Sequence, residues 1–105
     1  MSALLAGTLA SVKIDGYALA DAPKALRDDA KVVGAACAES GGALQFASER
    51  LKDDAATVAV AVKQQGEALA HASDRLRDDA ATVTHAASSS GWALRHASPR
   101  LRDDP

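Results

Sequence analysis

Pairs of aspartates recur along the chain at Asp28-Asp29, Asp53-Asp54, Asp78-Asp79 and Asp103-Asp104, each following a basic residue (Arg27, Lys52, Arg77, Arg102). Carboxylates in that density could hold a cation. A hard cation, however, needs about six to eight oxygens converging on one point. Pairs set a constant 25 residues apart occupy equivalent places in neighbouring units. Stacked helices keep such places about 10 Å apart, too far to share an ion. Helix capping and local ion pairs with Arg50, Arg75 and Arg100 account for the row. His71 and His96 are likewise equivalent positions, and His85 lies on a different helix. No Cys/His spacing fits a zinc site, so these imidazoles are read as facing solvent or a partner. Cys37 aligns with Val12, Val62 and Ala87, the place of a small core hydrophobe. Nothing in the sequence marks it as an activated nucleophile. Ser88-Ser89-Ser90-Gly91 reads as a helix end running into a glycine, since no phosphate-loop pattern occurs in the chain. The expectation is no catalytic residue, no metal and no cofactor.

The elements that carry these residues follow from one period. Leu26, Leu51, Leu76 and Leu101 recur every 25 residues, as do Gly16, Gly41, Gly66 and Gly91. Val33, Val58 and Val83 follow the aspartates, then Ala36, Ala61 and Ala86. After each glycine comes an Ala-Leu pair (Ala18-Leu19, Ala43-Leu44, Ala68-Leu69, Ala93-Leu94), and Ala22, Ala47, Ala72 and Ala97 close the pattern. Such strict self-similarity predicts a repeat architecture. Each unit reads as two helices. The first starts at the Asp pair, with an Asp at the N-cap accepting from a free N–H and a second Asp in the first turn, where it suits the helix dipole. It ends at the glycine, expected in the left-handed conformation. The second runs to the repeating leucine, with Leu44, Ala47 and Leu51 on one face. The expected fold is all-α, a short α-solenoid of four tandem two-helix repeats. The repeats cover approximately residues 1–27, 28–52, 53–77 and 78–105 of a single domain. Helices this short need their neighbours. Pro23 replaces Ser48, Ser73 and Ser98 and is expected to end its helix early, and Pro99 falls in the last turn of the fourth unit. Neither end shows an obvious polar capping helix, which makes end-to-end self-association an open expectation.

Composition agrees with that reading and narrows the partners. Apolar residues make up 48 % and aromatics only 3 %, with alanine commonest, favouring closely packed helices. Twelve basic against fourteen acidic residues leave a net charge of -2, so no nucleic-acid partner is expected. The longest apolar run, around Ala59–Val62, falls far short of a membrane span. One cysteine rules out a disulfide within the chain, and a soluble intracellular protein is favoured. The apolar stretch Ala3–Val12 and the tripeptide Ala20-Asp21-Ala22 have a signal-like look. No basic residue precedes the stretch, and it fits the repeat, so it is read as part of the fold.

The pattern Leu-Arg-Asp-Asp-x-x-x-Val-x-x-Ala-Val-x-x-x-Gly-x-Ala-Leu-x-x-Ala-Ser, clearest from Leu51 to Leu76, resembles domain-of-unknown-function family 4116. The resemblance covers nearly the whole chain and implies a tandem helical repeat. It brings no catalytic residues. The N-terminal unit departs from it, with Thr8, Ser11 and Val12 in the Val/Ala/Val places.

One face of the second helix varies while its Ala and Leu stay constant. Tyr17, Asp21 and Lys24 correspond to Gly42, Phe46 and Glu49, to Glu67, His71 and Asp74, and to Trp92, His96 and Pro99. A constant inner face with a varied outer one is how repeat proteins build binding surfaces. The plainer account is a solvent face, or aromatics that seal the stack. The expected function is a non-catalytic protein-interaction module or small structural subunit of a larger assembly, contacting its partner through Tyr17, Phe46, His71, Trp92 and His96. A nucleic-acid-binding helical repeat and an uncharacterised enzyme are the alternatives.

Overall fold

The computed structural model describes residues 3–103, with side chains from 7 to 102. It is all-helical, with no strand among the described residues. Four α-helices form one row: α1 (Ala3–Ile14), α3 (Ala30–Glu39), α5 (Ala55–Gln64) and α7 (Ala80–Ser89). Each is followed by a six-residue 3-10 helix, η1 (Gly16–Asp21), η2 (Gly41–Phe46), η3 (Gly66–His71) and η4 (Gly91–His96), and these form a second row. Single α-turns complete the chain: α2 (Lys24–Arg27), α4 (Glu49–Lys52), α6 (Asp74–Arg77) and α8 (Pro99–Asp103). Packing runs α1 on α3, α3 on α5, α5 on α7, and likewise η1 to η4 in order. The molecule is 50 × 22 × 17 Å, longest by more than twofold in one direction.

The core lies between the two rows. Val32, Val33, Ala36 and Cys37 of α3 are fully buried, as are Val58, Ala61 and Val62 of α5, and they face Leu19, Leu44 and Leu69 of the 3-10 row. Alanine at 36, 61 and 86 keeps the helices close. Burying each leucine contributes about 1.5–3 kcal/mol.

The second aspartate of each pair, expected in the first turn, is instead the N-cap of the helix after it, and the first aspartate lies outside that helix. Asp29 accepts from the N–H groups of Lys31 and Val32, Asp54 from Thr57 and Asp79 from Thr82. The hydroxyls of Thr57 and Thr82 also donate to those carboxylates, at 2.6 and 2.7 Å, which satisfies two polar groups that lie almost fully buried. Asp104, the fourth such position, lies outside the described residues.

Two further features differ from the expectation. The stretch after each glycine is not one helix. It breaks at Ala47 and Ser48, both extended, and at the matching residues of the other segments. Ser48 sends its N–H to the Arg27 carbonyl of the preceding segment, and its hydroxyl accepts from Leu51 N–H. Serine favours such caps over a helix interior. Pro23 therefore stands at a regular break rather than causing one, and Pro99 opens α8, where its missing N–H is harmless. The glycines also differ. Among the described residues no glycine has positive φ. Gly16, Gly41 and Gly66 are there for space: a Cβ on Gly66 would sit 2.5 Å from the Ala86 carbonyl oxygen and 2.9 Å from Ser90 Cβ. On Gly16 and Gly41 it would meet the Ala36 and Ala61 carbonyls in the same way.

Candidate functional site

Three charged clamps join consecutive segments along one edge. Asp28, the first aspartate of its pair, follows α2 and accepts at Oδ1 from Ser48 Oγ (2.5 Å) and Arg50 Nε (3.0 Å). Arg50 Nη2 also donates to the Asp28 carbonyl at 2.6 Å. Ser73 and Arg75 hold Asp53 alike, and Ser98 and Arg100 hold Asp78. The serine hydroxyl is the leading cause that holds each carboxyl below the ordinary aspartate range. Asp79 is lowered too, chiefly by the Thr82 hydroxyl. The two members of a pair thus have separate tasks, one capping its own helix and the other gripping the next segment. All three parts of the clamp are absent together in the first segment, where Ala3, Pro23 and Ala25 occupy the Asp, Ser and Arg places.

The row of varied residues is organised by a second cross-segment rule. Tyr17 lies over Gly42, where an added Cβ would meet its hydroxyl, and its ring stands edge-on to Phe46 at 6.3 Å between centroids. Two segments further on, the same spacing joins Glu67 Oε2 to His96 Nε2 at 2.7 Å. Arg95 reaches that carboxylate at 3.5 Å. Phe46, His71 and His96 are half-buried as a result, and Tyr17 is 43 % exposed. Burial, then the nearby Lys52 and His96, lower the His71 pKa. Trp92 holds the Tyr17 and Glu67 place in the last segment and is 77 % exposed. Of the five expected contact residues, the structure brings Tyr17 to Phe46 and sets His71 near His96, while Trp92 stands apart.

The Cys37 thiol is fully buried, and burial pushes its pKa up to about 12, the opposite of a nucleophile's environment. Among the described residues no three His, Cys, Asp or Glu side chains gather in a metal-sized group. No helix among them is long and apolar enough to cross a membrane. Sequence reasoning missed Ser48, Ser73 and Ser98 as clamp donors, although they recur 20 residues beyond Asp28, Asp53 and Asp78. That recurrence was the available signal.

A chain built this way is a helical protein with polar residues that join one segment to the next. Residues 58–102, from α5 into α8, match the model of the family described as Domain of unknown function (DUF4116), confirming over that stretch the resemblance carried by the Leu-Arg-Asp-Asp pattern. No curated protein and no solved structure matches the chain.

Proposed function

We propose that the chain is a short α-solenoid of four tandem 25-residue units, and that it serves as a non-catalytic protein-interaction module or small structural subunit of a larger assembly. The stacking reading is supported by the recurrence of one bond set between successive segments: Ser48, Ser73 and Ser98 N–H to the carbonyls of Arg27, Lys52 and Arg77. The interaction reading is carried by Trp92. Tryptophan is highly buried on average and is enriched at interface hot spots. Here it is 77 % exposed, beside Leu94 at 44 %. Tyr17 and the open edges of Phe46, His71 and His96 extend the same row. Affinity co-purification from the source cells tests this, with the native chain against Trp92→Ala and Tyr17→Ala variants of unchanged circular dichroism. A stoichiometric protein held by the native chain and lost by either variant supports the reading. A partner retained by both places the contact elsewhere, and none at all removes the proposal.

A further inference from the structure

We infer that a second copy of this chain docks head to tail, seating the outer side of its α1 and η1 on the α7–η4 end of the first. This rests on the stacked-unit reading above and names the partner of the α7–η4 face. The α7–η4 face continues an interface that the chain already makes three times. A Cβ on Gly66 would meet the following segment within 2.5 Å, whereas one on Gly91 meets nothing within 4 Å. The N–H groups of Gly41 and Gly66 donate to Gln64 Oε1 (2.8 Å) and Ser89 Oγ (3.1 Å) of the helix that covers them. Leu44 and Leu69 are fully buried, and Leu94 in the same place is 44 % exposed.

Register decides what the second copy presents. Each covering residue lies 23 positions beyond its glycine. Carried into a second copy, that offset sets Ile14 on Gly91, an apolar contact in place of the hydrogen bond that Gln64 and Ser89 accept. The 29-residue offset that joins Glu67 to His96, and Tyr17 to Phe46, brings Trp92 onto Asp21 of the second copy, beside its Tyr17. Ile14, 82 % exposed, and Trp92, 77 % exposed, are the two most open large hydrophobics among the described residues, and this contact covers both. Tyr17 offers Trp92 a ring, and Asp21 an acceptor for the indole N–H. The junction is weaker than those within the chain. Pro23 and Ala25 make no clamp, and α1 presents Thr8 and exposed Ser11 where α3 presents Val33 and Ala36. Association is therefore reversible, and being heterologous it forms open rows rather than closed dimers.

Sedimentation velocity over about a hundredfold range of concentration tests this, read together with the emission of Trp92, the chain's only tryptophan. The native chain is expected to grow past dimer as concentration rises, its emission moving to the blue. Gly91→Val and Ile14→Lys, each of unchanged circular dichroism, are expected to stay monomeric alone and to form a one-to-one dimer when mixed, since each keeps the face the other lacks. A native chain that stays monomeric throughout overturns the inference. So does an Ile14→Lys chain that associates like the native one, or a mixture of the two variants that stays monomeric. Failure here leaves the stacked-unit reading standing if Gly66→Ala still destabilises the chain, and sinks both if it does not.

Discussion

At the scale of single residues, the glycines and the clamp serines carry the most specific consequences. Gly66 and Gly91 hold the same place in the 25-residue period, each two residues before an Ala-Leu pair, and have opposite surroundings. Gly66→Ala forces the Ala86 carbonyl away and is expected to cost about 1–3 kcal/mol. Gly91→Ala is expected to stay within about 0.5 kcal/mol, because its Cβ enters open space. Urea denaturation of the two variants reads the difference directly, and equal losses would mean that close helix approach is not what the glycine provides. Ser73 caps α6 and donates to Asp53, so Ser73→Ala is expected to cost about 1 kcal/mol. Arg75→Ala removes only the solvent-facing arm of the same clamp. Its smaller effect should fade in salt, as exposed ion pairs do.

At the scale of elements, the leucines buried in η1, η2 and η3 (Leu19, Leu44 and Leu69) are the contacts that tie the two rows together. Leu69 is fully buried in the middle of the molecule. Leu69→Ala is expected to cost about 2–5 kcal/mol by equilibrium denaturation. A loss below about 1 kcal/mol would put the core elsewhere. A six-residue 3-10 helix followed by a four-residue α-turn holds little helix stability of its own. Their geometry depends on the next segment's backbone, through bonds such as Ser73 N–H to the Lys52 carbonyl at 2.9 Å. The N-terminal helix differs from its counterparts on one face. Ser11 of α1 is exposed where Ala36, Ala61 and Ala86 are fully buried.

At the scale of the whole molecule, the charged edge sets the response to acid. Asp28, Asp53, Asp78 and Asp79 all titrate below their ordinary value in the fold. Their stabilisation is complete above about pH 4 and is lost as pH falls through their lowered range. His71 shifts in the same direction, so its part is complete above about pH 6.5 and weakens as pH falls toward its lowered folded value. Thermal melts from pH 8 to pH 2 should therefore decline in two stages. His71→Gln should remove its share of the upper stage and leave the lower one. A melting temperature that rises on acidification from pH 7 to pH 5 would contradict the sign given for His71.

Much of this was legible in the residues alone. The 25-residue period, the all-helical class, an aspartate cap at the start of the first helix and the buried place of Cys37 all follow from local propensity and spacing, which report on segments of a dozen residues; which aspartate of the pair is the cap does not. What escaped were the 3-10 form of the second element and contacts spanning 20 to 29 residues: the Ser grip on the first aspartate, beside the arginine pairs the sequence did suggest, and the pairing of Tyr17 with Phe46 and Glu67 with His96. Glycine is the clearest case. Its place before Ala-Leu is local information and suggested a left-handed turn. Whether it bends the chain or makes room depends on what lies against it, and only the packed structure puts the Ala86 carbonyl over Gly66 and leaves Gly91 open.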